Sequence, residues 1–210
     1  MGTISKGILG GFSGTVGTVV GGNWKGIDYM RSQPSKRSGN FSQAQLEQQA
    51  KFRLLILFLE TMTGLVRITF KDFAKQMTGF NSAMSYNLKN AVTGIYPDFT
   101  IDYGLVLVSR GDLPNAIAPS AVAGDNSINF SWTDNTGTGS AKATDKAILV
   151  VHCPELKLTS YTTAGADRST GTDTINVANF AGQIVETYIG FISQDGQSIA
   201  NSIYTGEISL

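Results

Sequence analysis

Residues 7–26 read GILGGFSGTVGTVVGGNWKG, eight glycines in twenty positions with Lys25 the single charge. Glycine weakens a helix interior by about 1 kcal/mol relative to alanine and gives a strand no side chain to pack. The run therefore excludes a stable helix and asks why the backbone is kept bare. Its Thr and Val residues favour extended chain, and Gly21-Gly22-Asn23 tolerate the positive φ of a tight turn. The spacing predicts a β-hairpin, roughly 14–20 paired with 24–31, with glycines where another backbone approaches closely.

The same run bounds localisation. Residues 7–24 carry no charge, yet they are Gly, Thr, Ser and Val rather than the Leu and Ile of a spanning helix. Lys6 before ILGGFSG imitates a signal peptide, but the glycines break its apolar segment and no A-x-A site follows. Neither a secretory signal nor a transmembrane helix is expected. The compartment stays open between a virion or intracellular assembly and a cell surface reached by another route, and membrane contact by the glycine-rich arm remains a candidate.

Beyond the arm, RSQPSKRSGN (31–40) reads as a polar linker. Ser42 is placed as a helix N-cap with Gln45 as its capping-box partner and Phe41 and Leu46 at staple positions. Leu46, Ala50, Leu54, Leu57 and Phe58 follow at helical spacing, and LLILFL (54–59) is apolar all round, which predicts a buried helix. Further helical pieces are expected over about 65–77 and from Asn81 or Ser82 to before Gly94. DFTIDYGLVLVS (98–109) alternates like a strand. INFSWTD, AILVVHC, LKLTSYTT, DTINVAN, QIVETYIGFIS and NSIYTGEISL follow as short strands between turn residues. The expected fold class is α+β: a glycine-rich β-hairpin arm and linker over 1–40, a helical region over 41–97, and an immunoglobulin- or fibronectin-like β-sandwich over 98–210. Within the last, strand 98–109 is a candidate to pair with the arm. Whether helices and strands share one core is left open.

Chemistry is sparse. Cys153 is the one cysteine and His152 the one histidine; as strand neighbours they point to opposite faces and do not make a nucleophile–base pair. No G-x-G-x-x-G or G-K-[ST] is present, which argues against nucleotide binding. Asp134 and Asp145 share a polar loop without a calcium-binding frame. Asp98, Asp102, Glu155 and Glu186 show no spacing suited to a carboxylate pair. Arg110-Gly111-Asp112 is a tripeptide match that reads equally as a turn entering Pro114. Arg31, Lys36 and Arg37 near Trp24 and Tyr29 are too few to favour nucleic acid. No cofactor, metal or catalytic residue is expected.

The charge is uneven although the net is zero: residues 1–110 hold 12 basic and 6 acidic residues, residues 111–210 hold 4 and 10. Opposite halves attract within a chain or between copies. These features favour a non-enzymatic structural subunit, a homo-oligomer of filament, shell or virion type. Its arm would interlock with a sheet edge through Val16, Val19, Val20, Trp24, Tyr29 and Arg31. The alternative is a fibronectin-like module binding a glycan or protein through Tyr161 or the 133–145 loop.

ILGGFSGTVGTVVGGNWKGIDYMRS (8–32), SWTDN, TDKAILVVHCPE and SQDGQSIANSIYTGEISL resemble a family of bacterial proteins of similar length whose function is uncharacterised. The resemblance covers most of the chain, implies a shared fold, and supplies no activity.

Overall fold

A computed structural model describes residues 2–4, 7, 10–35 and 39–210. The chain divides into two compact units, 1–42 and 43–210.

The first unit is an antiparallel meander of β1 (Thr3–Ile4), β2 (Phe12–Val16), β3 (Val19–Trp24) and β4 (Ile27–Ser32), in that spatial order. This corrects the expected hairpin. Gly21-Gly22-Asn23 lie inside β3, and the reversals fall at Gly17-Thr18 and Lys25-Gly26. Lys25 (φ 49°) and Gly26 (φ 84°) are both left-handed, as the two-residue turn matching strand twist requires. Asn23 holds that turn: its Oδ1 accepts from the Gly26 N–H at 3.1 Å and its Nδ2 donates to Asp28 Oδ1 at 2.7 Å. A single Gly thus sufficed for the turn because lysine adopted the other positive φ, while the Gly-Gly pair was needed elsewhere. Lys6, Lys36 and Arg37 lie outside the described residues.

The second unit is α+β. Helices α1 (Gln43–Leu59), α2 (Thr63–Thr69) and α3 (Gly79–Asn90) lead into a two-stranded ribbon, β5 (Val92–Ile95) with β6 (Asp98–Ile101). Helix α1 begins one residue after Ser42, as expected. Helix α3 starts earlier than expected because Thr78 caps it, accepting from the Asn81 N–H at 3.1 Å. Seven further strands follow: β7 (Ile117–Ala123), β8 (Ser127–Thr133), β9 (Lys146–Cys153), β10 (Leu158–Thr162), β11 (Thr172–Asn176), β12 (Ile184–Ile192) and β13 (Ile203–Ser209). They form two antiparallel sheets, ordered β11-β8-β7 and β10-β9-β12-β13.

The expected strand over 98–109 is shorter. Its ladder partner is β5, and Asp102 ends it by accepting from the Gly104 N–H to start a 3-10 turn. Residues beyond that turn are held by side chains. Asn87 Oδ1 accepts from the Leu107 N–H and its Nδ2 donates to the Leu107 carbonyl, both at 2.9 Å. Thr69 donates to the Val108 carbonyl at 2.7 Å, and Ser202 Oγ accepts from the Val108 N–H at 2.9 Å. Alternation alone did not reveal that these buried amides satisfy themselves without a neighbouring strand.

Strands β9 and β12 are buried on both faces. Ile148, Val150, Tyr188 and Ile192 join Leu55, Phe58, Leu59, Leu65 and Val66 of the helical segment in one cluster. Leu149, Val151, Cys153, Val185, Ile189 and Phe191 join Ile128, Phe130, Trp132 and Ile175 of the other sheet in a second. One sheet therefore serves two cores, with helices on one face and strands on the other. Helix α1 is not buried all round: Leu55, Phe58 and Leu59 are buried while Phe52 and Leu57 are exposed. Among the described residues, no helix is long and apolar enough to cross a membrane.

Candidate functional site: the glycine-rich arm

The bare backbone of β3 is a seat for aromatic rings. A Cβ on Gly21 would lie 2.6 Å from Phe12 Cδ2 and collide with the Phe12 carbonyl. A Cβ on Gly22 would lie 2.9 Å from Tyr29 Cζ. The two rings lie over successive glycines, hence on opposite faces of the pleat. Register assigns the rest. Val16 faces Val19, and Met30 faces Gly21, on the Phe12 side. Val20 faces Arg31, Trp24 faces Ile27, and Tyr29 faces Gly22 on the other.

The six expected contact residues therefore divide, Val16 and Val19 on one face and Val20, Trp24, Tyr29 and Arg31 on the opposite one. Ile27 and Met30 were not singled out, although Met30 is 72% exposed, more than any other large hydrophobic among the described residues of the arm. Period-two alternation counted from the true turn would have found them. Val16, Trp24, Ile27 and Tyr29 are each about half exposed, and Gly21 is the one buried residue among the described residues of this unit. Beside the β3–β4 pair, an open groove of about 610 Å³ is lined by Val19, Met30, Arg31 and Ser32 among others.

Two buried clusters of the second unit are built around charged or titratable side chains. His152 faces Glu186 across the β9–β12 ladder. Its Nδ1 bonds Thr159 Oγ1 at 2.9 Å, Thr159 bonds Thr61 at 2.6 Å, and Phe58 meets the imidazole edge-on at 4.8 Å. Burial pushes the imidazole down to about 4. Glu186 is raised by burial and accepts from the Tyr204 hydroxyl at 2.6 Å. Burial, then the Glu186 charge, pushes Tyr103 up to about 12. Cys153 lies in the other core, so the strand geometry keeps the thiol away from the imidazole, as its sequence position implies. The group ties α1, the 3-10 turn at Tyr103–Leu105 and the sheet together.

The other group is Arg168, fully buried. Its Nε donates to Asp145 Oδ2 at 3.1 Å, Nη1 to Asn135 Oδ1 at 2.7 Å and Nη2 to the Pro114 carbonyl at 3.0 Å. The guanidinium stacks 3.8 Å from the Phe191 ring centroid, and Trp132 Nε1 donates to the Arg168 carbonyl at 2.7 Å. Asp145 thus serves an ion pair, and Asp134 caps its own loop through Thr136. The 133–145 loop is anchored at Asn135 and Asp145, while its tip, residues 136–140, is exposed. Tyr161 is 38% exposed, and a Cβ on Gly64 would lie 2.6 Å from its hydroxyl, so it lies against the helical segment. Arg110 of the RGD tripeptide stacks on Phe73 and Tyr86 at 4.1 and 4.9 Å.

Of the four carboxylates weighed, Asp98 lies exposed in β6, Asp102 caps the 3-10 turn, Glu155 is exposed and Glu186 is buried with Tyr204. No group of three or more His, Cys, Asp or Glu placed to hold a metal occurs among the described residues.

Neither a curated protein nor a solved structure matches the chain. A family model matches residues 11–206 of the 210, nearly all of the arm's paired strands and both cores. The chain belongs to DUF6266, a family of unknown function.

Proposed function

We propose that this protein is a non-enzymatic structural subunit that self-assembles through its glycine-rich arm, as a filament, shell or virion-type component. The observation that carries this reading is the arm's exposure: a four-stranded sheet with apolar side chains on both faces and Gly21 its one buried residue among those described. Ordering each residue costs roughly 1–2 kcal/mol of backbone entropy, and a sheet needs a covered hydrophobic face to be stable in water. A partner that covers a face or extends an edge supplies what the arm lacks.

The experiment is light scattering with negative-stain imaging of the full chain beside a chain lacking residues 1–30. The full chain is expected to form regular particles, and the truncated one to stay folded and monomeric. Particles of unchanged size after truncation would refute the reading.

A second reading is a fibronectin-like binding or adhesion module. Strand order favours it. With β7 to β13 lettered A, B, C, C′, E, F and G, the sheets read A-B-E and C′-C-F-G, an order that supports a sandwich of the immunoglobulin or fibronectin kind. Tyr161, packed against the helical segment, weighs against one of the contacts expected for that role, whereas residues 136–140 of the 133–145 loop are exposed. A stable monomer that retains a glycan on an array would select it.

A further inference from the structure

We propose that the free edge of β4 pairs antiparallel with β4 of a second copy, about a two-fold axis through Met30. This rests on the self-assembly reading and names one surface of that assembly; a two-fold contact by itself closes a dimer, so larger particles need a second contact besides it.

The sheet ends at β4, whose one ladder partner among the described residues is β3, without a register shift. All six residues of β4 are exposed. Sheet edges are normally guarded by charged side chains, proline, bulges or very short strands; Ile27–Ser32 has no proline, lysine or bulge, and its two charged side chains are Asp28 and Arg31. Its one acidic side chain, Asp28, is bound to Asn23 of its own sheet.

The phase of the ladder fixes which amides are free. The Gln33 N–H donates to the Thr18 carbonyl, so odd-numbered residues of β4 turn their N–H and C=O toward β3. Alternate residues Asp28, Met30 and Ser32 turn theirs outward. The next in that series, Pro34, has no N–H to offer, so the available edge ends there.

Antiparallel pairing about Met30 uses all three. Met30 meets Met30 and Asp28 meets Ser32 on either side, closing six backbone hydrogen bonds. A shift of two residues sets Ser32 against the Gly26 turn and loses bonds. The same register sets Tyr29 opposite Arg31 of the second copy, twice, on one face, a cation–π arrangement, with the two methionines in contact on the other. The surface is thus self-complementary, as a two-fold interface must be. Residues 1–42 hold five basic residues and one acidic residue, so like charge opposes the approach, and salt strengthens the pairing by screening it.

The test is thiol cross-linking of full-length Met30→Cys and Ile27→Cys in 0.5 M salt, by oxidation and by a short bismaleimide. Cys153 is fully buried, which confines the chemistry to the introduced thiol. Paired Met30 positions lie about 5.5 Å apart, within disulfide reach; the two copies of residue 27 lie six residues apart, roughly 20 Å. Met30→Cys is expected to cross-link and Ile27→Cys to remain single. Equal cross-linking of both, or none in either, overturns the pairing. Met30→Pro removes an outward N–H without touching the β3 ladder and is expected to weaken association about tenfold. Light scattering of the unaltered chain separates the two readings. Particles larger than a monomer without Met30→Cys cross-linking refute the β4 pairing alone, and a monomer at every concentration and salt refutes self-assembly as well.

Discussion

His152 is the single histidine of the chain, and the fold holds it neutral among Phe58, Tyr103 and Thr159. Its folded value lies near 4 against an ordinary 6.5, so between those values the unfolded chain binds the extra proton. Its contribution to stability is full above pH 6.5 and is lost as the pH falls toward 4, by about 3 kcal/mol in all. Glu186 acts in the opposite sense. Its raised value makes its contribution full at low pH and lost as the pH rises through the folded value. Urea unfolding of the wild type and His152→Gln between pH 4 and 7.5 should show a flatter profile for the variant; identical slopes would contradict the burial argument. Arg168 and Asp145 are an ion pair with side chains 0% and 1% exposed. Arg168→Leu strands the carboxylate and is expected to cost about 3–5 kcal/mol in the denaturant midpoint analysis.

Turns and caps decide outcomes at the scale of the element. Lys25-Gly26 makes a turn with positive φ at both residues, a conformation that asparagine adopts more readily than lysine. Lys25→Asn is therefore expected to slow hydrogen exchange across β3 and β4, and an unchanged rate would contradict the turn assignment. Thr78→Ala removes the cap of α3 and is expected to cost about 1 kcal/mol, read as a lower melting temperature. Strands β8 to β13 were all legible from alternation and turn residues, because half-buried and fully buried strands both leave a pattern. The 98–109 segment was misread because Tyr103, Leu105 and Leu107 keep the alternation while Asp102 breaks the backbone direction. The arm's turns were misplaced for a related reason: Gly21-Gly22 carries the turn signature, but Phe12 and Tyr29 claim those glycines as ring seats.

For the whole molecule, the two cores share β9 and β12, so residues 43–210 are expected to unfold in one cooperative transition. Probes at Trp132 and at the helices, by fluorescence and far-ultraviolet circular dichroism, should then give coincident curves; separated midpoints would show independent cores. The arm has little buried surface, and its amides over 12–32 should exchange faster than those of β9 and β12 unless a second copy covers them. Concentration-dependent protection of Met30 and Ser32 would tie that behaviour to the β4 edge.

The sequence by itself determined the local matters: where backbone must be bare, which segments are strands, that His152 and Cys153 part company, and that chain 8–32 carries a family resemblance. These follow from periodicity and side-chain volume over a few residues. Tertiary structure decided the rest. Asn87 and Ser202 take the place of a strand beside residues 107–108, Arg168 reaches Asp145 across 23 positions, and one sheet serves two cores. In each case a buried polar group or a bare face found its partner far along the chain, and a pattern read a few residues at a time carries no record of that distance.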